Sequence, residues 1–492
     1  MSATHFLAEP ARAQGYPALS LVIDGRHIGA GERATLDVLD PATRRVLGKL
    51  PIATADDLDR ALEAADRGFK VWRALSAFDR AVILRRAADL IRERSGTIAR
   101  WLTLEEGKPL AESLQEVVHA AEIIEWAGEE GKRNYARGVP SRRPDLTQLV
   151  VHEPVGPVAA FAPWNFPAVT PARKLGGALG AGCSIILKPA EETPATALAF
   201  VQALLDAGVP AGAVALVTGD PAMISSHLLA SPVIRKLSFT GSTVVGKHLA
   251  ALAAQGVKRA TLELGGHAPV IVCDDIDDVK AAAQLSLTAK IRNAGQVCAS
   301  PTRFFVQEGV YDAFLAHFTD AAKALRIGHG LEETTQMGPL ANERRLKAMG
   351  ELVTDAVERG ATLASGGEYG GEHEGFFFVP AVLTGVPADA RVLCEEPFGP
   401  VVPIIPFTDV SDAIERANAV PFGLTAYAFT SRVDRARELG TRLEAGVIGI
   451  NHFGIATAEV PFGGIKESGY GSESGPEGVQ AYLTTKLIST LG

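Results

Sequence analysis

The stretch NAGQVCAS, Asn293 to Ser300, sets a lone cysteine among small and polar residues. A cysteine that only packs normally sits in an apolar run. Cys298 instead follows Gly295 and Gln296 and precedes Ala299 and Ser300, which leaves space beside the sulfur. Its thiolate is a candidate nucleophile. Other stretches carry the groups such a nucleophile needs. PWNFP, Pro163 to Pro167, follows an apolar strand pattern and holds Asn165. The Asn165 amide either donates to a developing oxyanion or caps the helix for which Pro167 is a suitable first residue. LELGG, Leu262 to Gly266, puts Glu263 at a strand end beside two glycines. A carboxylate in an apolar strand is costly unless it is paired or used, so Glu263 is a structural ion-pair member or a general base.

Two further stretches suit a nucleotide. In KPAEETP, Lys188 follows the strand SIIL and Glu191 stands three residues on; the two form a solvated charge pair or grip ribose hydroxyls. GSTVVGKH, Gly241 to His248, resembles a triphosphate-binding loop, but His248 occupies the position where a magnesium-holding Ser or Thr is required. The stretch still follows a strand and opens a helix, so its free N–H groups suit a dinucleotide pyrophosphate, with simple capping by Ser242 or Thr243 as the alternative. Two arginines flank the same region. Arg173 lies eight residues after Asn165, at helical spacing with Phe166 and Thr170, and Arg292 lies six residues before Cys298. They pair with structural carboxylates or form a clamp for a carboxylate on the substrate.

The elements that must position these groups are visible in the hydrophobic pattern. Short strands (LVIDG, VLGKLPI) precede an almost continuous helical pattern over Asp56 to Arg133. After a polar connection, GVPSRRPDLTQLVVHEPVG, apolar strands alternate with helices: VAAFAP, SIILKP, AVALVTG, RKLSFTG and ATLELGG. That alternation predicts a parallel doubly wound sheet, which binds ligands beyond the carboxyl ends of its strands, where the motifs sit. A second βα series runs from Pro269 to about Ile450, and a solitary terminal strand, VQAYLTTKLISTL, must pair with something, which suggests another subunit.

The chain has 492 residues, enough for about three domains. Its net charge of −9 (48 − 57) argues against nucleic acid or an anionic membrane as partner. No apolar run is long enough to span a membrane. The beginning, MSATHFLAEPARAQGYP, reads as a short loose tail without a secretory signal. The four cysteines form no C-x-x-C pair, so neither a metal site nor a dithiol is expected, and a reducing cytoplasm fits.

Seven stretches in order, PWNFP, KPAEETP, FTGST, LELGGHAP, NAGQVC, EEPFGP and PFGGIKESG, resemble the aldehyde dehydrogenase superfamily of the non-phosphorylating, nicotinamide-dependent type, over nearly the whole chain from about Leu21. The resemblance implies an α/β protein with a doubly wound, Rossmann-like cofactor domain (1–131 and 155–262), an α/β catalytic domain (263–460) and a small β oligomerisation element (132–154 and 469–492). It implies a homodimer or homotetramer and NAD as cofactor, with NADP possible. It assigns Cys298 as nucleophile, Asn165 with the Cys298 N–H as oxyanion hole, and Glu263 as general base. Lys188 and Glu191 hold the adenosine ribose, Gly241, Ser242 and Gly246 lie at the pyrophosphate, Glu396 and Phe398 position the nicotinamide end, and Trp164 lies beside the cofactor. Relatives that transfer the acyl group to coenzyme A typically lack the glutamate, so Glu263 argues for hydrolysis; intact Cys298, Asn165 and Glu263 argue against a purely structural protein. Arginines at positions 173 and 292 resemble succinate-semialdehyde dehydrogenases, and ELGGHAPVIV, RNAGQVCASPTRF and SGYGSESGPE look closer still to α-ketoglutaric semialdehyde dehydrogenases. That likeness makes Arg173 and Arg292 a carboxylate clamp, with Thr457 as a weaker helper. Phe166 and Phe453 serve the alternative, a neutral aliphatic or aromatic aldehyde.

Overall fold

The computed structural model describes residues 15–31, 33–370 and 374–492, so most of the stretch read as a loose tail lies outside the described residues. The apolar runs that follow Pro157 form the middle of an eight-stranded sheet. Five of its strands are parallel and adjacent in the order Val214–Leu216, Ile185–Lys188, Val158–Phe161, Lys236–Thr240, Arg259–Glu263. All residues of the first four are buried, as expected for strands covered by helices on both faces. The order reverses between Val158–Phe161 and Lys236–Thr240. That pair of strand ends is the topological switch point, where doubly wound sheets bind ligands. PWNFP leaves one of the two strands and GSTVVG leaves the other.

The helical pattern over Asp56 to Arg133 resolves into four helices, Ala55–Ala74, Ala77–Glu93, Ser95–Glu106 and Leu110–Gly131. A reciprocal cap between Thr54 and Asp57 starts the first, and Gly107 in the left-handed region ends the third. The last packs against the helix Val169–Ala181, where facing glycines permit backbone contact: a Cβ on Gly180 would stand 2.4 Å from the carbonyl oxygen of Ala127.

The second βα series forms a seven-stranded sheet whose centre is Val401–Phe407, Pro301–Gln307 and Ala268–Val272. Two expectations change. The polar connection contains the strands Arg137–Val139 and Leu146–Pro154, the second running through LTQLVV, which is rich in β-branched and apolar residues. The terminal strand, Leu483–Leu491, pairs antiparallel with Leu146–Pro154 of the same chain rather than needing another subunit for its ladder, and the first two residues of the expected strand, Val479 and Gln480, close the helix Gly475–Gln480. Among the described residues no helix is long and apolar enough to cross a membrane.

Candidate active site

One cleft of about 490 Å³ lies where the two large sheets face each other. Asn165, Glu263 and Cys298 all line it, as do Gly241, Ser242, Trp164, Glu396 and Phe398. Arg173, Arg292, Phe166 and Phe453 line it too.

Local sequence explains how the three central groups meet. The glycines after Glu263 admit close approach: a Cβ on Gly266 would stand 2.4 Å from the Cys298 carbonyl, and one on Gly265 would stand 2.6 Å from Glu396 Oε2. The turn before the nucleophile is strained. Asn293, Ala294 and Gly295 have successive φ values of 48°, 52° and 76°, and for Ala294 the left-handed region costs about 1–2 kcal/mol. Surrounding bonds hold the turn: Gln296 Nε2 donates to Asn293 O, Gln296 Oε1 accepts from Ala341 N, and Tyr427 Oη donates to Ala299 O at 2.7 Å. Strain of this kind clusters where a side chain must be aimed.

Asn165 does not cap a helix. The helix that follows begins at Val169, two residues beyond Pro167, with Ala168 at the cap position and no side-chain cap. The Asn165 Nδ2 donates to Gln296 O at 2.9 Å, which ties it to the nucleophile loop and leaves its second N–H for the cleft. Glu263 makes no ion pair among the described residues, and its buried Oε1 has no hydrogen-bond partner. Burial first, then the nearby carboxylate of Glu473, raises the Glu263 carboxyl to about 7, against the opposing charge of Arg173. Burial and the Glu263 carboxylate push the Cys298 thiol up in turn.

The nucleotide-facing residues divide. Ser242 both lines the cleft and caps the helix Thr243–Gln255, so its two readings hold together. Gly246 does not line the cleft; a Cβ there would stand 2.3 Å from Leu264, so it serves helix-to-strand packing. Lys188 and Glu191 form an ion pair with each other at the end of the neighbouring strand, outside the cleft lining. Glu396 Oε1 accepts from Gly266 N at 2.9 Å, and burial raises its carboxyl to about 8. Phe398 takes a left-handed backbone (φ 47°), held by Arg345 donating to the carbonyls of Pro397 and Phe398, and its ring meets Trp164 edge-on at 5.5 Å. A helix N-terminus, small residues and these rings around one cleft fit an extended dinucleotide.

The arginines lean on aromatic rings rather than on carboxylates. Among the described residues neither Arg173 nor Arg292 reaches a carboxylate at ion-pair distance. Arg173 is buried, its Nε has no partner, and its guanidinium carbon stands 4.3 Å from the centre of the Phe462 ring. Arg292 is exposed and lies 5.1 Å from the centre of the Phe166 ring. Thr457 does not join them: it is exposed and outside the cleft lining, because Ile455 and Ala458 turn inward on either side. Sequence reasoning missed Lys174 and Glu473, whose 2.6 Å ion pair is buried near Glu263, with Lys174 also donating to Thr240 Oγ1 at 2.7 Å. The signal for Lys174 was a second cation in a helix otherwise made of small and apolar residues.

A dinucleotide fold opening onto a cysteine, a buried carboxylate and an amide donor defines a thiol-dependent dehydrogenase. The aldehyde dehydrogenase family matches residues 28–488, and the chain belongs to that family. It is 47% identical to a putative 4-(hydroxymethyl)benzenesulfonate dehydrogenase of Comamonas testosteroni, over 96% of this chain and 98% of the relative. It is 44% identical to the NADP(+) succinate-semialdehyde dehydrogenase of Escherichia coli K12, over 95% and 96%. A solved betaine aldehyde dehydrogenase from Staphylococcus aureus in complex with NAD+ superposes with a TM-score of 0.93 at 32% identity, covering 96% of this chain and 95% of that one. The protein is an NAD(P)-dependent aldehyde oxidoreductase.

Proposed function

We propose that the protein oxidises an ω-semialdehyde of a short dicarboxylic acid, such as succinate or α-ketoglutaric semialdehyde, to the dicarboxylate. The observation that carries this reading is Arg173, a buried guanidinium with no carboxylate partner in the cleft that holds Cys298. Burying an unpaired cation is expensive, and a substrate carboxylate would supply the missing partner. The names of the two bacterial relatives support an anion, since a succinate semialdehyde and a benzenesulfonate each carry one remote from the carbon that is oxidised.

The chemistry follows from the side chains. Cys298 is held as a thiol, and Glu263 stands ready to take its proton as the sulfur attacks the aldehyde. The free N–H of Asn165 meets the oxyanion of the thiohemiacetal. NAD(P)+ would be held by Gly241, Ser242, Glu396, Phe398 and Trp164, with Lys188 and Glu191 beyond, and would supply the hydride acceptor that turns the thiohemiacetal into the thioester. Glu263 then activates water against the Cys298 thioester, and a pKa near neutrality suits it both to hold and to release that proton.

A second reading, an anionic aromatic aldehyde, is favoured by the rings of Phe166, Tyr427 and Phe453 in the cleft and by the benzenesulfonate relative. The experiment is a panel of succinate, glutarate and α-ketoglutaric semialdehydes, 4-carboxybenzaldehyde, 4-sulfobenzaldehyde, butanal and benzaldehyde, compared by kcat/KM, with Cys298→Ala as the inactive control. The highest value with an aliphatic semialdehyde supports the first reading. The highest value with a neutral aldehyde overturns both. For assembly, exposed Leu487, Ile488 and Leu491 on the terminal strand support a homodimer or homotetramer built through the sheet of 137–139, 146–154 and 483–491, and sedimentation of a variant with all three changed to Thr tests it.

A further inference from the structure

Asn165 can stabilise an oxyanion only if its amide is held in place. It lies in neither helix nor strand, in the turn between Val158–Phe161 and Val169–Ala181. A displacement of about 1 Å at such a donor costs on the order of 100-fold in rate. The side chain is tied to Gln296 O, but the turn itself needs its own anchor.

That anchor comes from residues that have no part in the chemistry above. Lys108 and Glu116 are each about 1% exposed, on the segments before and within the helix Leu110–Gly131. Lys108 Nζ donates to Glu116 Oε2 at 2.6 Å and to the Asn165 carbonyl at 2.7 Å. It stands 4.1 Å from the centre of the Phe166 ring, the next residue of the same turn. Glu116 Oε1 accepts from Ala168 N at 2.9 Å and Val169 N at 3.3 Å, two donors that open the following helix. One ion pair therefore grips both ends of the turn. From the opposite side, Asn293 Nδ2 donates to the same Asn165 carbonyl at 2.9 Å, and Asn293 N donates to Glu112 Oε2 at 2.9 Å. The carbonyl of Asn165 is thus the point where the helix Leu110–Gly131, the Asn165 turn and the nucleophile loop are joined. A buried ion pair is a poor way to gain stability, because well-packed apolar residues of equal volume do as well. Its value here is directional.

We propose that Lys108, paired with Glu116, is a positioning residue for Asn165, fixing the turn Asn165–Val169 so that the amide meets the oxyanion formed on the substrate. The proposal rests on the reading of Asn165 as oxyanion donor. The test is the double variant Lys108→Met/Glu116→Gln. Both charges of the pair leave together; the buried Glu106, 3.9 Å from Lys108, already has its carboxyl raised to about 8 by burial and is raised further when the cation goes, so it takes up a proton, and the amide oxygen introduced at position 116 still accepts from the N–H groups of Ala168 and Val169. The rate of the first burst of reduced cofactor should fall roughly 10- to 100-fold. Cofactor Kd by fluorescence and the rate of Cys298 alkylation by iodoacetamide should not change, since the pair touches neither. In an Asn165→Ala background the same substitutions should cost nothing more, because the amide they position is gone. If the double variant does not fold, Asn293→Gly replaces it, keeping the left-handed backbone while removing the second donor to the Asn165 carbonyl, with the same pattern expected. A wild-type burst rate in these variants, or a full additional loss in the Asn165→Ala background, overturns the proposal. Asn165→Ala with an unchanged burst overturns the oxyanion reading and the proposal with it; a slow Asn165→Ala beside a fast charge-pair variant overturns the proposal alone.

Discussion

Replacing Arg173 by leucine separates two effects that the structure predicts for one side chain. The first acts on the substrate. A hydrogen bond from a charged donor contributes about 1.5–3 kcal/mol, so losing it should raise KM for succinate semialdehyde roughly 10- to 150-fold. The second acts on the catalytic groups. The Arg173 charge lowers the pKa of both Glu263 and Cys298, so its removal raises both and moves the acid limb of the rate profile to higher pH. A neutral aldehyde of similar length, butanal, therefore also slows at pH 7, but recovers as the pH is raised and Glu263 ionises. The semialdehyde does not recover its KM. The assay is kcat and KM for both substrates between pH 6 and pH 9.5, beside a thermal melt. Since Arg173 is a buried cation without a carboxylate partner, its loss should leave Tm level or raise it. Equal loss for both substrates across the whole pH range, together with a lowered Tm, would mean that Arg173 is structural and that the clamp does not exist.

The remaining expectations are shorter. Glu263→Gln should still give a burst of about one reduced cofactor per site, slower at pH 7 because glutamine cannot take the Cys298 proton and recovering as the pH is raised, and then stall as acyl-enzyme accumulates; a steady state as fast as that of the wild type would show that Glu263 is not the base. In the wild type, steady-state kcat should rise about tenfold per pH unit below about 7, where Glu263 is protonated, and level off above it, and a flat profile contradicts a base of that pKa. NAD should be preferred over NADP, because a 2′-phosphate meets Glu191 while Lys188 is already committed to that carboxylate; Glu191→Ser should narrow the ratio of kcat/KM, and comparable values for the two cofactors in the wild type refute the argument. Thr457→Ala should leave KM for the semialdehyde unchanged, and a clear increase would return Thr457 to the substrate site.

The parts of the site that were legible in the sequence share one property: each is local. Asn165, Lys188, Gly241 and Glu263 stand at the ends of parallel strands, and apolar runs of four or five residues followed by helices are enough to mark those ends. Cys298 was marked by its small neighbours. The illegible parts depend on pairings between distant segments. Lys174 and Glu473 are 299 residues apart, and Lys108 meets Asn165 across 57. The ladder between Leu146–Pro154 and the terminal strand escaped for the same reason, since alternation shows that a strand exists and not which strand it joins. Thr457 was misplaced because a loop without periodicity does not show which of its residues turn inward.

The adjacent cations of the helix Val169–Ala181 show how one local register sets the chemistry. Successive helical residues point about 100° apart, so Arg173 and Lys174 leave the helix in different directions. Lys174 is turned toward Glu473 and Thr240, and Arg173 toward the Phe462 ring and the cleft. Had the fixed partner of Lys174 been Glu263, the paired carboxylate would have a depressed pKa and would be a poor acceptor for the proton of water. With Lys174 satisfied by Glu473, Glu263 keeps no direct cation, feels Glu473 as a like charge, and stays near neutrality. Among the described residues Arg173 has no carboxylate at ion-pair distance, which is what the proposed substrate clamp requires. The same assignment of partners thus leaves the Glu263 carboxyl raised to about 7 and Arg173 without a counter-charge, as the proposed base and the proposed clamp require. That is why the buried pair of Lys174 and Glu473, which touches no reactant, belongs to the description of the site.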